Sequence, residues 1–476
     1  MPRLTRDRLT WLTYAQLGLW GFFLYGFGPV VPLLRDEQGT SAAVAGLHST
    51  GIAVGALAGG ALFAPLARRL GRGRAIWTGL AGVAAGAAAL GAVRALPATL
   101  TAVAVIATFG MLVVSGVSVV LTDRHGTGAP AALTEANAVC AGAGILAPLV
   151  IGASVDAGWG WRPAMAVEVG LITLVALAAL TFRVRLPKPA PAAAAPGTPP
   201  AGAALTAPTD AHLASGSASA ILTSAGLDSG AGPGSTVRTG VEPGPGTGAG
   251  SGVESTVRTG ADVASERTGA GAASDARRPS RRLPPAYWIA WVLMAVTGSI
   301  EVCLSLWTAD VLRSNAGMAA GTASAAVAAI VCGMFVGRLV GGRFALRYRP
   351  VPLLLAALGV SLAGFALFWI APVGWLAVTG LVVLGLGNAL HYPLAISIAL
   401  AVAGPAADRA AGWASYSMGV GFGIAPVALG WVADGVGPHL AFLLLPAFIA
   451  TAALLTTRLG RALRPSPADL PTPTPA

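Results

Sequence analysis

Apolar runs of membrane-spanning length recur twelve times along the chain, separated by short polar or charged stretches. They cover approximately residues 11–34, 42–65, 75–93, 96–122, 131–155, 163–183, 287–312, 318–341, 351–371, 373–403, 410–433 and 438–457. A helix that crosses a bilayer needs about 20 apolar residues at about 1.5 Å rise each. The pattern therefore predicts an all-α membrane protein with twelve transmembrane helices, and an even number of crossings brings both termini to one side.

The sixth and seventh runs are set apart by a stretch from about Leu186 to Pro284. It is rich in Ala, Gly, Pro, Ser and Thr and almost free of aromatics, so it cannot bury a core, and disorder is expected. The predicted layout is a six-helix bundle over 1–185, a linker over 186–284, a second six-helix bundle over 285–460 and a disordered tail over 461–476. Within the linker, Ser235-Thr-Val-Arg-Thr-Gly240 recurs as Ser255-Thr-Val-Arg-Thr-Gly260. Repeat slippage in a tolerant linker accounts for this more simply than a partner-binding repeat. Its basic edges, Arg183, Arg185 and Lys188 on one side and Arg277, Arg278, Arg281 and Arg282 on the other, suit anionic headgroups.

The two sets of six runs match one another at a constant offset of 278 positions. Leu34-Arg35 pairs with Leu312-Arg313, Gly39 with Gly317, Gly55 and Gly59 with Gly333 and Gly337, and Arg69 with Arg347. Ala147-Pro148, Gly152 and Asp156 pair with Ala425-Pro426, Gly430 and Asp434. Two parallel six-helix repeats follow, an arrangement suited to rocking one bundle against the other.

Composition agrees. The chain has 476 residues, of which 55% are hydrophobic and 10% charged, and its mean hydropathy is +0.73, too apolar for a soluble protein of this size. A net charge of +11 would point to nucleic acid in a soluble protein, but here the cations collect in the connections between runs. Arg3, Arg6 and Arg8 precede the first run, Arg68, Arg69, Arg72 and Arg74 follow the second, Arg343, Arg347 and Arg349 the eighth, and Arg458, Arg461 and Arg464 the last. The other side carries only Arg35, Arg94, Arg162 and Arg313. This asymmetry places both termini and the linker in the cytoplasm of a plasma-membrane protein, with lipid and not nucleic acid as its surroundings. Cys140, Cys303 and Cys332 all fall in apolar runs, so no disulfide is expected.

The seventh run holds the residue of greatest interest. Glu301 lies about 21 Å along the helix from Tyr287, near mid-membrane. An ionisable group there is costly unless it faces a polar cavity, finds a partner or takes up a proton.

The segment after the second run, Ala64-Pro-Leu-Ala-Arg68-Arg69-Leu-Gly71-Arg72-Gly-Arg74, resembles the signature loop of the major facilitator superfamily, roughly Gly-x-Leu-Ala-Asp-Arg-x-Gly-Arg-Arg. The second copy is Gly342-Arg-Phe-Ala-Leu346-Arg347-Tyr-Arg349. In both, frame and basic residues are kept and the acidic residue is not. Gly142-Ala-Gly144-Ile-Leu-Ala147-Pro148-Leu-Val-Ile-Gly152 is similar, in part, to the Gly-Pro motif of antiporters of that family. The resemblance covers about 370 residues and implies a twelve-helix transporter whose first, fourth, seventh and tenth helices surround a cavity.

From that resemblance, Glu301, His391, Asn388, Tyr392, Trp307 and Tyr25 are the candidate proton and substrate site, with Glu301 and His391 able to share a proton. Arg68, Arg69, Gly71, Arg72, Arg347, Glu135 and Asn137 form a candidate cytoplasmic gate. For the Arg cluster the plain alternative is a topology signal, and for Glu135 a helix cap. Gly144, Pro148, Gly152, Gly423, Pro426 and Gly430 are expected at helix contacts and flexing points. Glu168 reads as structural, and Asp36, Glu37 and His48 as solvated or capping. No phosphate loop or metal-ligand spacing occurs, so no enzyme, cofactor or metal is expected. The expected function is proton-coupled secondary transport of a small organic solute by a monomer, export being favoured. Two alternatives are proton-linked uptake of a sugar or other polar metabolite, and a non-transporting receptor or scaffold acting through the linker.

Overall fold

Inside hydrocarbon a backbone must satisfy its own N–H and C=O groups, so each apolar run is helical. The structure is a computed structural model that describes residues 6–183 and 283–463, apart from 372. Its helices are α1 (Arg8–Gln38), α2 (Ala42–Leu70), α3 (Arg72–Ala92), α4 (Leu96–His125), α5 (Ala129–Asp156), α6 (Arg162–Thr181), α7 (Pro285–Asn315), α9 (Pro350–Ile370) and α11 (Ala407–Val436). Three more are each broken once: α8 (Ala320–Ala326 and Ala328–Arg347), α10 (Gly374–Asn388 and His391–Ala403) and α12 (Pro438–Ala441 and Leu444–Ala462). All twelve are long and apolar enough to cross a membrane, and the described residues contain no strand. The linker predicted for 186–284, its duplicated segment and the tail from 464 onward lie outside the described residues, save Leu283 and Pro284.

The offset of 278 is visible in the backbone. Gly39 and Gly317, which follow α1 and α7, share φ +61°, and Gly126 and Gly404, which follow α4 and α10, have φ +50° and +51°. Such left-handed angles suit glycine because it has no Cβ. Each of the latter two opens a single 3-10 turn leading into α5 or α11. Gly55 and Gly59 lay α2 against the Ala104 and Thr108 carbonyls of α4, while Gly333 and Gly337 lay α8 against the Val382 and Leu386 carbonyls of α10. Small residues four apart let two backbones approach this closely.

Because the spans alternate in direction, both described termini and the two ends bordering 184–282 lie at one end of the bundle, here the terminal end. At the opposite end the two sets of six helices are latched together. Arg35 on α1 makes a fork with Asp310 on α7 (2.6 and 2.9 Å) and also bonds Asp36. Arg313 on α7 completes the cluster at 2.7 Å from Asp36. Asp36 is exposed, as expected, and also takes part in this cross-pairing. Two-pronged guanidinium–carboxylate contacts of this kind fix geometry as well as adding energy.

Two aspartates extend the latch along the pseudo-symmetric positions. Asp434, in the last turn of α11, accepts from the Ala42 and Ala43 amides at the start of α2 (2.7 and 3.0 Å). Its counterpart Asp156, at the end of α5, lies against Gly321 at the start of α8, where a Cβ would collide with the carboxylate. Helix N-termini offer unpaired amides and a partial positive charge, so carboxylates belong there.

Nearer the middle, Pro426 interrupts the ladder of α11. Proline has no N–H, so the Phe422 carbonyl one turn before it loses its helical donor. The Ser49 hydroxyl of α2 supplies one at 2.6 Å, and Thr50 bonds the Gly423 carbonyl at 2.6 Å. Close contacts between these two helices continue as far as Leu57 and Gly419, at 3.3 Å from a Cβ built there.

At the terminal end, ion pairs form within the first six helices. Glu135 takes Arg6 (2.5 and 2.8 Å) and the Tyr14 hydroxyl (3.1 Å). Arg72 pairs with Asp123, so the acidic partner absent from the loop after α2 is provided by α4. Asp7 caps α1 through Thr10 and accepts from Arg124 at 2.6 Å. Burial opposes its charge, but the Thr10 and Arg124 bonds outweigh that and hold its pKa below the ordinary carboxylate value. A lowered folded-state pKa stabilises above the unfolded value, so this cap weakens as pH falls through the folded one.

Two outcomes follow. Ser49→Ala leaves the Phe422 carbonyl unpaired, costing about 1–3 kcal/mol of the latched state. Spin labels at Trp159→Cys and Asn315→Cys should then report a larger population of separated distances. Gly152→Ala should do the same, since its Cβ would stand 2.6 Å from the Gly321 carbonyl oxygen, whereas Gly423→Ala should not, its nearest neighbour being 3.6 Å away.

Candidate functional site

Between the two sets of helices lies a cavity of about 300 Å³, at the small end of ligand sites, which run from about 300 to 1,000 Å³. Its walls come from α1, α2, α4, α5, α7, α8, α10 and α11. Most are apolar: Trp20 and Phe27 from α1, Ile52 and Leu57 from α2, Met111 from α4, Val331 and Met334 from α8, and Phe422 from α11. The expected four cavity helices all contribute, together with four more.

Glu301 faces this cavity, and on its opposite wall stands a guanidinium that the sequence reading passed over. Arg338 of α8 is 3.9 Å from the Glu301 carboxylate, and 16% and 13% of the two side chains remain exposed. The separation is an ion pair without a hydrogen bond, since bonded N–H···O contacts run to about 3.2 Å. Arg338 does donate to the Tyr25 hydroxyl of α1 at 3.2 Å. Tyr25 is in turn seated by Gly144 of α5, where a Cβ would overlap its ring. Three side chains from α1, α7 and α8 thus meet across the boundary between the two halves. At the same boundary a Cβ on Gly28 would run into the Ser305 backbone, which is how closely α1 and α7 approach. The signal for Arg338 was available: a lone cation inside an apolar run obeys the same rule as Glu301.

The other candidates separate. Tyr392 and Asn137 line the cavity, so Asn137 belongs with the central residues and not with a terminal gate. His391 does not line it. It is buried against α9, with Nε2 3.1 Å from the Ser361 hydroxyl, which corrects the expectation that it shares a proton with Glu301. Asn388 is also buried away from the cavity, its amide contacting Met334 sulfur at 3.7 Å. Trp307 is fully buried and donates to the Pro426 carbonyl, a helix contact and not a cavity wall. Adjacent helical residues point about 100° apart, so His391 faces away where Tyr392 faces in, and the break at Ala389–Leu390 separates Asn388 from the turn that carries Tyr392.

Among the gate candidates, Arg68, Arg69 and Arg347 are exposed, Gly71 has φ +85°, and Glu135 is engaged by Arg6 and Tyr14. Gly152, Pro426 and Gly430 sit where the halves touch, Gly430 against the Ala42 backbone and Pro426 against Gly46; Pro148 lies inside α5. His48, expected to be solvated, is buried between the Ala45 carbonyl and Thr99. Glu37 pairs with Arg162 at 2.6 Å. Glu168 is buried on α6 and neither of its oxygens has a hydrogen-bond partner among the described residues.

Comparison with known proteins gives the family. No curated protein matches the chain. Among solved structures it is similar to a variant of the nucleoside transporter NupG, at TM-score 0.64 and 14% identity over 96% of this chain and 99% of that one. A bacterial homolog of the human lysosomal transporter Spinster, inward-facing and occupied, gives TM-score 0.62 and 13% identity over 96% and 97%. The human organic anion transporter MFSD10 gives 0.54 and 15% over 94% and 99%. At such identities the likeness is one of fold. A sequence profile described as the Major Facilitator Superfamily matches residues 15–408 and again 289–475, and with twelve spanning helices in the corresponding architecture, this multi-pass membrane protein belongs to that superfamily of transporters.

Proposed function

We propose that the chain is a proton-coupled secondary transporter that moves a small organic solute across the plasma membrane by alternating access. The observation that carries this reading is Glu301 and Arg338 facing one cavity at 3.9 Å, between helix sets latched at the end opposite the termini. A carboxylate and a guanidinium in that setting compensate each other only while Glu301 is ionised, so its protonation changes what the cavity will hold. The arginine-rich connections support termini in the cytoplasm, and hence a latch on the outer side of the membrane.

The walls favour a solute with an apolar body. Asn137, Ser305, Ser415 and the hydroxyls of Tyr25, Tyr392 and Tyr416 add polar groups among these mostly apolar walls, which suits an amphipathic solute. A scaffold role through the linker would not require a charged pair at the centre of the bundle.

Purified protein in liposomes provides the test, with counterflow of sugars, nucleosides and organic anions measured with and without an imposed pH gradient. Glu301→Gln should retain counterflow yet lose gradient-driven accumulation by about tenfold or more. Accumulation equal to the wild type would remove Glu301 as the proton site. Arg338→Gln should lose both, because it leaves Glu301 buried without its cation.

A further inference from the structure

We infer that the transported solute is an amphipathic organic monoanion, a carboxylate on an apolar body, and that each anion crosses together with one proton carried on Glu301. This deepens the transport reading and rests on it.

The argument begins with unspent donors. A guanidinium offers five N–H groups in a planar fork. Among the described residues, the hydrogen bond that Arg338 makes is the one to the Tyr25 hydroxyl, while the Glu301 carboxylate stays at 3.9 Å, beyond bonding distance. The cation is mostly buried and borders the cavity, with a neutral partner on one side and a distant acid on the other. A planar anion is what the remaining fork matches, and a carboxylate can accept from it through two parallel bonds.

Charge balance then sets the coupling. Arg338 and an ionised Glu301 sum to zero. A solute carboxylate docking on Arg338 would leave two negative charges against one positive in a mostly apolar cavity, which disfavours ionisation of the acid. Glu301 therefore takes a proton from solution as the anion enters, with its carboxylate oxygen becoming O–H. The loaded cavity again sums to zero: one guanidinium, one neutral acid, one bound anion. When the anion leaves, Glu301 gives up the proton and resumes its pairing. Empty and loaded forms both carry balanced charge, so both can pass through the occluded state, whereas the anion alone leaves an excess charge.

The surrounding groups do not offer another proton site of this kind. The titratable side chains that line the cavity with the pair are Tyr25 from α1, Cys140 from α5, Tyr392 from α10 and Tyr416 from α11, and α2 and α4 contribute uncharged ones. Phenols and thiols ordinarily titrate above neutral pH. The apolar body of the solute finds Trp20, Ile52, Leu57, Met111, Met418 and Phe422.

The test uses the full chain in lipid nanodiscs and three probes of one shape: 4-phenylbutyrate, 4-phenylbutanol and 4-phenylbutylamine. Calorimetric titration in two buffers of different ionisation enthalpy gives affinity and linked protons together. The acid should bind at least about tenfold more tightly than the alcohol, and about one proton should be taken up per acid bound. Glu301→Gln should keep the preference for the acid and lose the proton uptake. Arg338→Gln should bind acid and alcohol alike, with a helical circular-dichroism spectrum and a melting temperature matching the wild type as the sign of an intact fold.

Equal or tighter binding of the alcohol or amine by the wild type overturns the assignment, as does proton uptake that persists in Glu301→Gln, or failure of all three probes to bind. Alternating access is judged separately, by exchange between two distances for the labels at positions 159 and 315. Loss of that exchange overturns the transport reading whichever probe binds.

Discussion

An ionised guanidinium at the heart of a bilayer protein has to be compensated, and the architecture of this chain is arranged around doing so for Arg338. Water is scarce there and lipid offers nothing, so the partners must come from neighbouring helices. Tyr25 and Glu301 provide them from α1 and α7, the two helices whose opposite ends carry the latch. Glu301 rides on the same half as Arg338 while Tyr25 belongs to the other, so a tilt of one half relative to the other changes the Tyr25 contact and leaves the charged pair together.

The duplication sharpens this point. Backbone angles, glycine contacts and the 3-10 turns leading into α5 and α11 recur at the offset of 278, so the scaffold is shared between halves. Glu301 and Arg338 are not shared. Their counterparts in the first half are Phe23 and Gly60, an aromatic core residue and a cavity-lining glycine. The charged pair is placed on one copy while the helix contacts are kept on both.

Much of the fold was legible before any coordinates, because a membrane reduces folding to a question of which runs are apolar and long enough. The repeat also pointed to its own contacts: Asp156 and Asp434, noticed as a matching pair, prove to sit at matching helix starts. The site was less legible. Glu301 was found because a lone acid in an apolar run is conspicuous, but Arg338 was read past, lying only five residues before the basic cluster that begins at Arg343. His391 and Asn388 turn away from the cavity because neighbouring helical residues point about 100° apart and because the break after Asn388 takes it out of the turn that carries Tyr392. The cross-linked carboxylates of the latch were missed for a different reason: ion pairs between distant helices depend on which ends meet, and local patterning carries no record of that.

The placement of Asp434 has a consequence for the opposite state. The residue sits in the final turn of α11, where its own helix presents carbonyls and a partial negative charge. The borrowed amides at the start of α2, with Ser41 and the charge of Arg35 beside them, make that a favourable address. Parted from them, the acid is left facing the repulsive pole of the helix that bears it, so the latch behaves as a loaded catch. It resists opening while engaged, and once released it biases the halves toward closing again.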